Sequence, residues 1–212
     1  MPVSCPDNLW VCGVIDLIII TELDATIREI PYGTGSQFTP DKGCLMGTCT
    51  AFLDFIVNWV NNPTSEHSLV LFRQAGMGKS LIMHEIVRCF DKMNRLMSSF
   101  IFLQKEQSKC EAYHLFTTLA HDLSNRYPSF KTMLGRVIKD NSSLQAGTHD
   151  YGTLFESLIL EPLKNLHIVG PILVIIDALD ESGDVTGENG LHTFLPKALS
   201  KLPSNFCMLI TL

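Results

Sequence analysis

Two short stretches of the chain hold residues whose types and spacing fit phosphate chemistry. The first, residues 69–80, reads LVLFRQAGMGKS. It meets the spacing G-x-x-x-x-G-K-[ST] from Gly78 onward and has Arg73 where that pattern has its first glycine. Gly76 and Gly78 let the backbone bend until successive N–H groups face phosphate oxygens. Lys79 adds a point positive charge and Ser80 a hydroxyl for Mg2+, at a helix start whose free N–H groups and dipole favour anions. The expected nucleotide contacts are Gln74, Ala75, Gly76, Met77, Gly78, Lys79, Ser80 and Leu81. Arg73 brings a long side chain that needs a route to solvent, but it removes no donor that the loop uses.

The second stretch, residues 172–184, reads ILVIIDALDESGD. An apolar run ending in Asp177 puts a carboxylate at the end of a buried strand, where it can hold Mg2+ through water, because Mg2+ keeps most of its hydration. Ser80 and Asp177 are therefore the expected metal residues. Asp180 and Glu181 follow at short range, and either can orient or deprotonate an attacking water. Read alone, each stretch has a plainer meaning: a helix start with chance glycines, and a strand end followed by a solvated acidic turn. The strand–loop–helix context of the first, and the second about a hundred residues later, favour the nucleotide reading.

The elements that must position these residues are legible in the apolar pattern. From Thr50, Phe52, Leu53, Phe55, Ile56, Trp59 and Val60 recur at helical spacing, and Asn61, Asn62 and Pro63 stop that helix. Short apolar runs at 69–72, 98–103, 172–179 and 206–212 read as strands. Helices are expected through Leu81–Phe90, 113–127 and 191–199, and across 128–168 with polar breaks. Strands separated by helices imply an α/β fold in three layers around a parallel sheet. The expected organisation is an N-terminal segment (1–30) to which the sequence assigns no role, a linker and lead-in helix (31–66), and a core (67–212).

Bulk composition narrows the function classes. A chain of 212 residues is one domain's worth. A formal charge of −6 and no Lys/Arg run argue against a nucleic-acid surface. The seven cysteines (Cys5, Cys12, Cys44, Cys49, Cys89, Cys110 and Cys207) include no C-x-x-C pair, so reduced thiols in a cytoplasmic protein are expected. Residues 9–20, LWVCGVIDLIII, are interrupted by Asp16 and fall short of the ~20 apolar residues that span a bilayer. No Lys or Arg precedes them as a signal peptide requires. His114 and His121 have no identifiable third ligand and read as surface or boundary histidines.

The paired motifs AGMGKS and IIDALDE, with PYGTGSQFTPDKGCLMGT, WVNNP, SSFIFL, LFTTLAHDLS, LFESLILEPL and LPSNFCMLITL, cover about four-fifths of the chain. On these the chain resembles NACHT-type P-loop NTPases of the STAND class, in the branch labelled nephrocystin-3-like N-terminal domains. The resemblance implies a signalling domain switched by ATP or GTP with Mg2+, with protein partners or self-association. It gives Lys79 and Ser80 to the β/γ-phosphates and Mg2+, Asp177 to Mg2+, and Asp180 and Glu181 to the neighbourhood of the γ-phosphate. It also gives the strand order first, fourth, third, second. The family pattern continues past the fourth strand with an arginine, as in LITSRP, where this chain reads LITL and stops. Binding with weak or absent hydrolysis is thus the expected behaviour, and the first strand is an expected sheet edge unless residues 11–20 cover it. The alternative is a degenerate P-loop fold that serves as an interaction module without nucleotide. A small nucleotide kinase is disfavoured, since no Arg-rich lid is visible.

Overall fold

Continuous β-branched and aliphatic runs fold as strands covered on both faces, because every side chain in them needs an apolar neighbour. The computed structural model describes residues 22–28, 30, 32–33, 50–72, 79–102, 113–141, 144, 150–164, 166–182 and 190–212. In chain order these form α1 (22–27), α2 (Thr50–Asn61), β1 (Ser68–Leu71), α3 (Lys79–Lys92), β2 (Leu96–Ile101), α4 (Tyr113–Arg126) and α5 (Pro128–Asp140). A further helix, α6, is α-helical over Tyr151–Phe155, widens to a π-helix over Glu156–Leu160 and closes with α-helical Glu161–Leu163. Then come β3 (Ile172–Asp177), a 3-10 turn (Leu179–Glu181), α7 (Leu191–Leu199) and β4 (Phe206–Thr211).

The four strands form one all-parallel sheet in the order β1-β4-β3-β2. That is the α/β three-layer fold and the strand order expected. Period-2 alternation sorts the central strands between two cores. Ile172, Val174 and Ile176 of β3 and Phe206, Met208 and Ile210 of β4 pack with α4, α5, α6 and α7. Leu173, Ile175, Cys207 and Leu209 face the other way, against Ile56, Trp59 and Val60 of α2 and Met83, Ile86 and Phe90 of α3. β1 pairs only with β4 among the described residues, and is an edge strand as expected. Residues 11–20, the candidate cover for it, lie outside the described residues.

The strand ends differ from the expected ones for local reasons. β2 starts at Leu96 rather than residue 98, with a register shift between Leu96 and Ser98. Ser98 is buried because its hydroxyl donates to Asp122 of α4, a partner that an apolar count cannot see. β3 stops at Asp177 rather than residue 179, because Ala178 turns into the left-handed region at φ 55. The lead-in helix ends where Asn62 was expected to stop it, and the Asn62 Oδ1 accepts from the Thr64 backbone N–H at 3.1 Å. The span 128–168 resolves into α5 and α6, the second opened by an Asp150 side chain that accepts from Thr153 N–H at 2.7 Å.

The described residues between 22 and 33 are strapped to α4 and α5. Leu23, Ile27 and Ile30 are buried, as their helical spacing predicts. Leu23 fills the notch at Gly135, where an added Cβ would come within 2.1 Å of its Cδ2. Asp24 pairs with Lys131, the Gly33 N–H donates to Thr118 Oγ1 at 3.0 Å, and the Tyr32 hydroxyl donates to Asp122 Oδ1 at 3.2 Å. His121 of α4 meets the Ile30 carbonyl at 3.1 Å through Nε2. His114 is buried, deeper than the surface or boundary position expected of it, whereas His121 is half-buried.

Candidate functional site

Parallel pairing brings the carboxyl ends of the strands to one edge of the sheet. Leu71 pairs with Thr211, and Ile101 pairs with Asp177. One step past the Ile176–Ile210 pair, Asp177 and Thr211 stand level as well. Leu71, Thr211, Asp177 and Ile101 thus form a row across the sheet. The exit of β1 lies two strand spacings, or roughly 10 Å, from Asp177.

α3 begins at Lys79, so strand, connection and helix follow one another as the motif requires. Ser80 and Leu81 lie exposed in its first turn. Arg73, Gln74, Ala75, Gly76, Met77 and Gly78 lie outside the described residues, as does the side chain of Lys79.

Asp177 is the most informative side chain at this edge. It is 1% exposed. Its Oδ1 accepts from the Thr211 hydroxyl, whereas its Oδ2 is buried with no hydrogen-bond partner among the described residues. A buried carboxylate oxygen in that state costs free energy unless something charged or donating meets it. Ala178 follows in the left-handed conformation, which costs a non-glycine residue about 1–2 kcal/mol. Its N–H donates to Thr211 Oγ1 at 2.8 Å, and its carbonyl accepts from Glu181 N–H at 2.8 Å to close the 3-10 turn. This turn buries Leu179 and leaves Asp180 and Glu181 exposed. Ser182 ends it with a buried hydroxyl that also has no partner.

The residues present fit a hard divalent cation in part. A single carboxylate oxygen with no protein donor suits Mg2+, which is held through one or two carboxylates plus waters and substrate phosphates. Among the described residues no three His, Cys, Asp or Glu side chains gather into a metal cage. Asp180 lines a groove of about 440 Å3 that runs between Val70 and Phe72 of the β1 edge and His192, Leu195 and Leu199 of α7. Phe72, 73% exposed, is its most accessible apolar wall.

The sequence singled out Asp177 but not Thr211 or Ser182. Thr211 was detectable: a hydroxyl inside LITL, at the end of a strand buried on both faces, needs a partner. Ser182 lies in a polar loop where one more serine carries no signal.

A family model described as Nephrocystin 3, N-terminal, matches residues 47–211. The chain belongs to that family. The match spans α2 through β4 and so includes the whole strand-end row, while α1 and residues 30–33 lie before it. It starts later than residue 31, where the resemblance read from the sequence begins. No curated protein and no solved structure matches the chain. The family and the architecture are thus in hand, and the chemistry has to be argued from the residues.

Proposed function

We propose that this member of the nephrocystin-3 N-terminal family binds ATP or GTP with Mg2+ at the carboxyl edge of its sheet, as a NACHT-type signalling domain. The observation that carries this reading is the buried Asp177 Oδ2, which lacks a protein partner and stands level with the strand from which the GMGKS loop springs. Residues Gln74 to Leu81 cradle the phosphates, Lys79 supplies charge, and Ser80 and Asp177 flank the cation. Asp180 and Glu181 sit where a water could be oriented.

Hydrolysis is slow on this reading. Arginine at the transferring phosphoryl group is worth roughly 10³–10⁵ in rate in P-loop NTPases. Arg88, Arg126 and Arg136 bond to groups elsewhere, and Arg95 lies over the Phe90 ring. None of these four is offered to this edge, and Arg73 lies outside the described residues.

Calorimetry with Mg2+–ATP and Mg2+–GTP tests the site. Lys79→Ala should weaken binding roughly ten- to hundredfold, the range of a charge-assisted phosphate contact. Equal affinity for wild type and variant would place the nucleotide elsewhere or nowhere. The second reading, an interaction module without nucleotide, draws on the exposed Phe72 and the groove beside it. It predicts no heat with either nucleotide.

A further inference from the structure

Thr211 is 0% exposed, at the end of a strand with apolar neighbours on both faces. A hydroxyl carries one proton to donate, and each of its lone pairs can accept. Here both capacities are used on the same neighbouring strand. The Ala178 N–H donates to Thr211 Oγ1 at 2.8 Å, so the hydroxyl proton is left for Asp177 Oδ1. Ala178 then turns into the left-handed region, so the chain leaves the β ladder just beyond this bond. With Oδ1 held, the direction of Oδ2 is no longer free. It has no partner of its own, although it is buried.

We propose that Thr211 is the positioning residue of this site: its hydroxyl, oriented by the Ala178 N–H, holds Asp177 so that Oδ2 faces the cation of a bound Mg2+–nucleotide. This rests on the nucleotide reading above. It goes further by assigning to the end of β4 a role in cation affinity distinct from phosphate binding. On that reading the phosphates meet the β1–α3 connection rather than the end of β4. The cation term should therefore respond to Thr211 while the phosphate term does not.

The test uses the full chain and two variants. Thr211→Val keeps shape without the hydroxyl, and Thr211→Ser keeps the hydroxyl without the methyl. ATP affinity is measured by fluorescence titration in Mg2+ and in EDTA, and the ratio of the two is the readout, with thermal unfolding alongside. Thr211→Val should reduce the Mg2+ enhancement roughly tenfold, as for loss of a hydrogen bond to a charged group. Its EDTA affinity should stay at the wild-type value, and Thr211→Ser should restore the enhancement. Should Thr211→Val not fold, Thr211→Ala carries the same comparison. A hydroxyl-free variant with the wild-type ratio would overturn the inference and leave the nucleotide site standing. So would a loss of EDTA affinity and thermal stability together with an unchanged ratio, because that is a structural role only. Absence of ATP binding by the wild type in either buffer would overturn the nucleotide reading and this inference with it.

Discussion

The two ends of the sheet treat their polar groups differently. At the amino end, side chains are spent on backbone. Arg126 donates to the carbonyls of Leu96 and Asn94, the Asn205 amide donates to Ile168 O and Gly170 O at 2.9 and 3.0 Å, and Trp59 Nε1 donates to Glu66 O at 2.9 Å. Gly170 takes φ 86 there, a conformation that a side chain would strain. Arg95 departs from the pattern, with a buried Nη2 that has no hydrogen-bond partner but a guanidinium 5.9 Å from the Phe90 ring centroid. The carboxyl end instead keeps the unmatched oxygen of Asp177 and the left-handed Ala178. Two aspartates make the contrast sharp. Asp122, over the amino half of β2, accepts from both Tyr32 and Ser98. Among the described residues Asp177 accepts only from Thr211. Arg95 apart, the chain's own groups complete the amino end, and the carboxyl end leaves an acceptor that a ligand can complete.

The largest effect that would break this contrast comes from Asp177→Asn. Mg2+-dependent nucleotide affinity should fall on the order of a hundredfold, while stability to urea changes by less than about 1 kcal/mol, because the lost carboxylate was only half satisfied. A large loss of stability would class Asp177 with the structural residues of the amino end. Next, Arg126→Ala should cost about 1.5–3 kcal/mol in urea unfolding, as expected for charge-assisted bonds to the part-buried Leu96 carbonyl and the exposed Asn94 carbonyl, with no change in nucleotide affinity. Asn205→Ala should cost less, about 1–2 kcal/mol for two neutral bonds, again without effect on binding. An affinity change in either variant would mean that the two ends are coupled.

The smallest effect is a pH dependence. Burial pushes the Asp122 carboxyl above its ordinary value, and the hydrogen bonds from Ser98 and Tyr32 offset this only in part. In that interval the folded state therefore holds a proton that the unfolded chain has lost, so the contribution of this site to stability falls as pH rises through it. His121 runs the other way. Burial holds its imidazole below the usual value, so the unfolded chain binds the proton first as pH falls, and stability is lost on the acid side. Comparing wild type with Asp122→Asn by thermal unfolding cancels the His121 part. Wild type should lose ground to the variant as pH rises from about 4, and a flat difference would mean that Asp122 is effectively solvated.

The layered fold was legible because its signals are dense. Each central strand repeats the same apolar statement five or six times, and Asn62, Pro63 and Asp150 punctuate the helices in the ways their side-chain chemistry dictates. The candidate site was legible only where residue type and context coincide, as at Lys79, Ser80 and Asp177. The Thr211–Ala178–Asp177 arrangement depends on two strands meeting that are separated by α7. A strained alanine also leaves no mark in composition. Similarly, the partner that buries Ser98, at the start of the expected strand 98–103, is Asp122 from a different layer, which the run of residues does not reveal.

The strand order sets a timetable for synthesis. Among the described residues β1 finds its hydrogen-bonded neighbour only in β4, which pairs Ser68 with Met208, a residue made about 140 positions later. At ~5–20 residues per second, β1 waits on the order of ten seconds or more on the ribosome for that neighbour. During this wait β1 has no strand beside it, and α3 has only the β2–β3 part of the sheet to cover. Pairing across so long an interval also carries the slow folding that non-local parallel strands impose. Of the two edge strands, β1 is thus the older and the later to be secured, and nascent chains are most vulnerable to misassociation before residue 206 emerges.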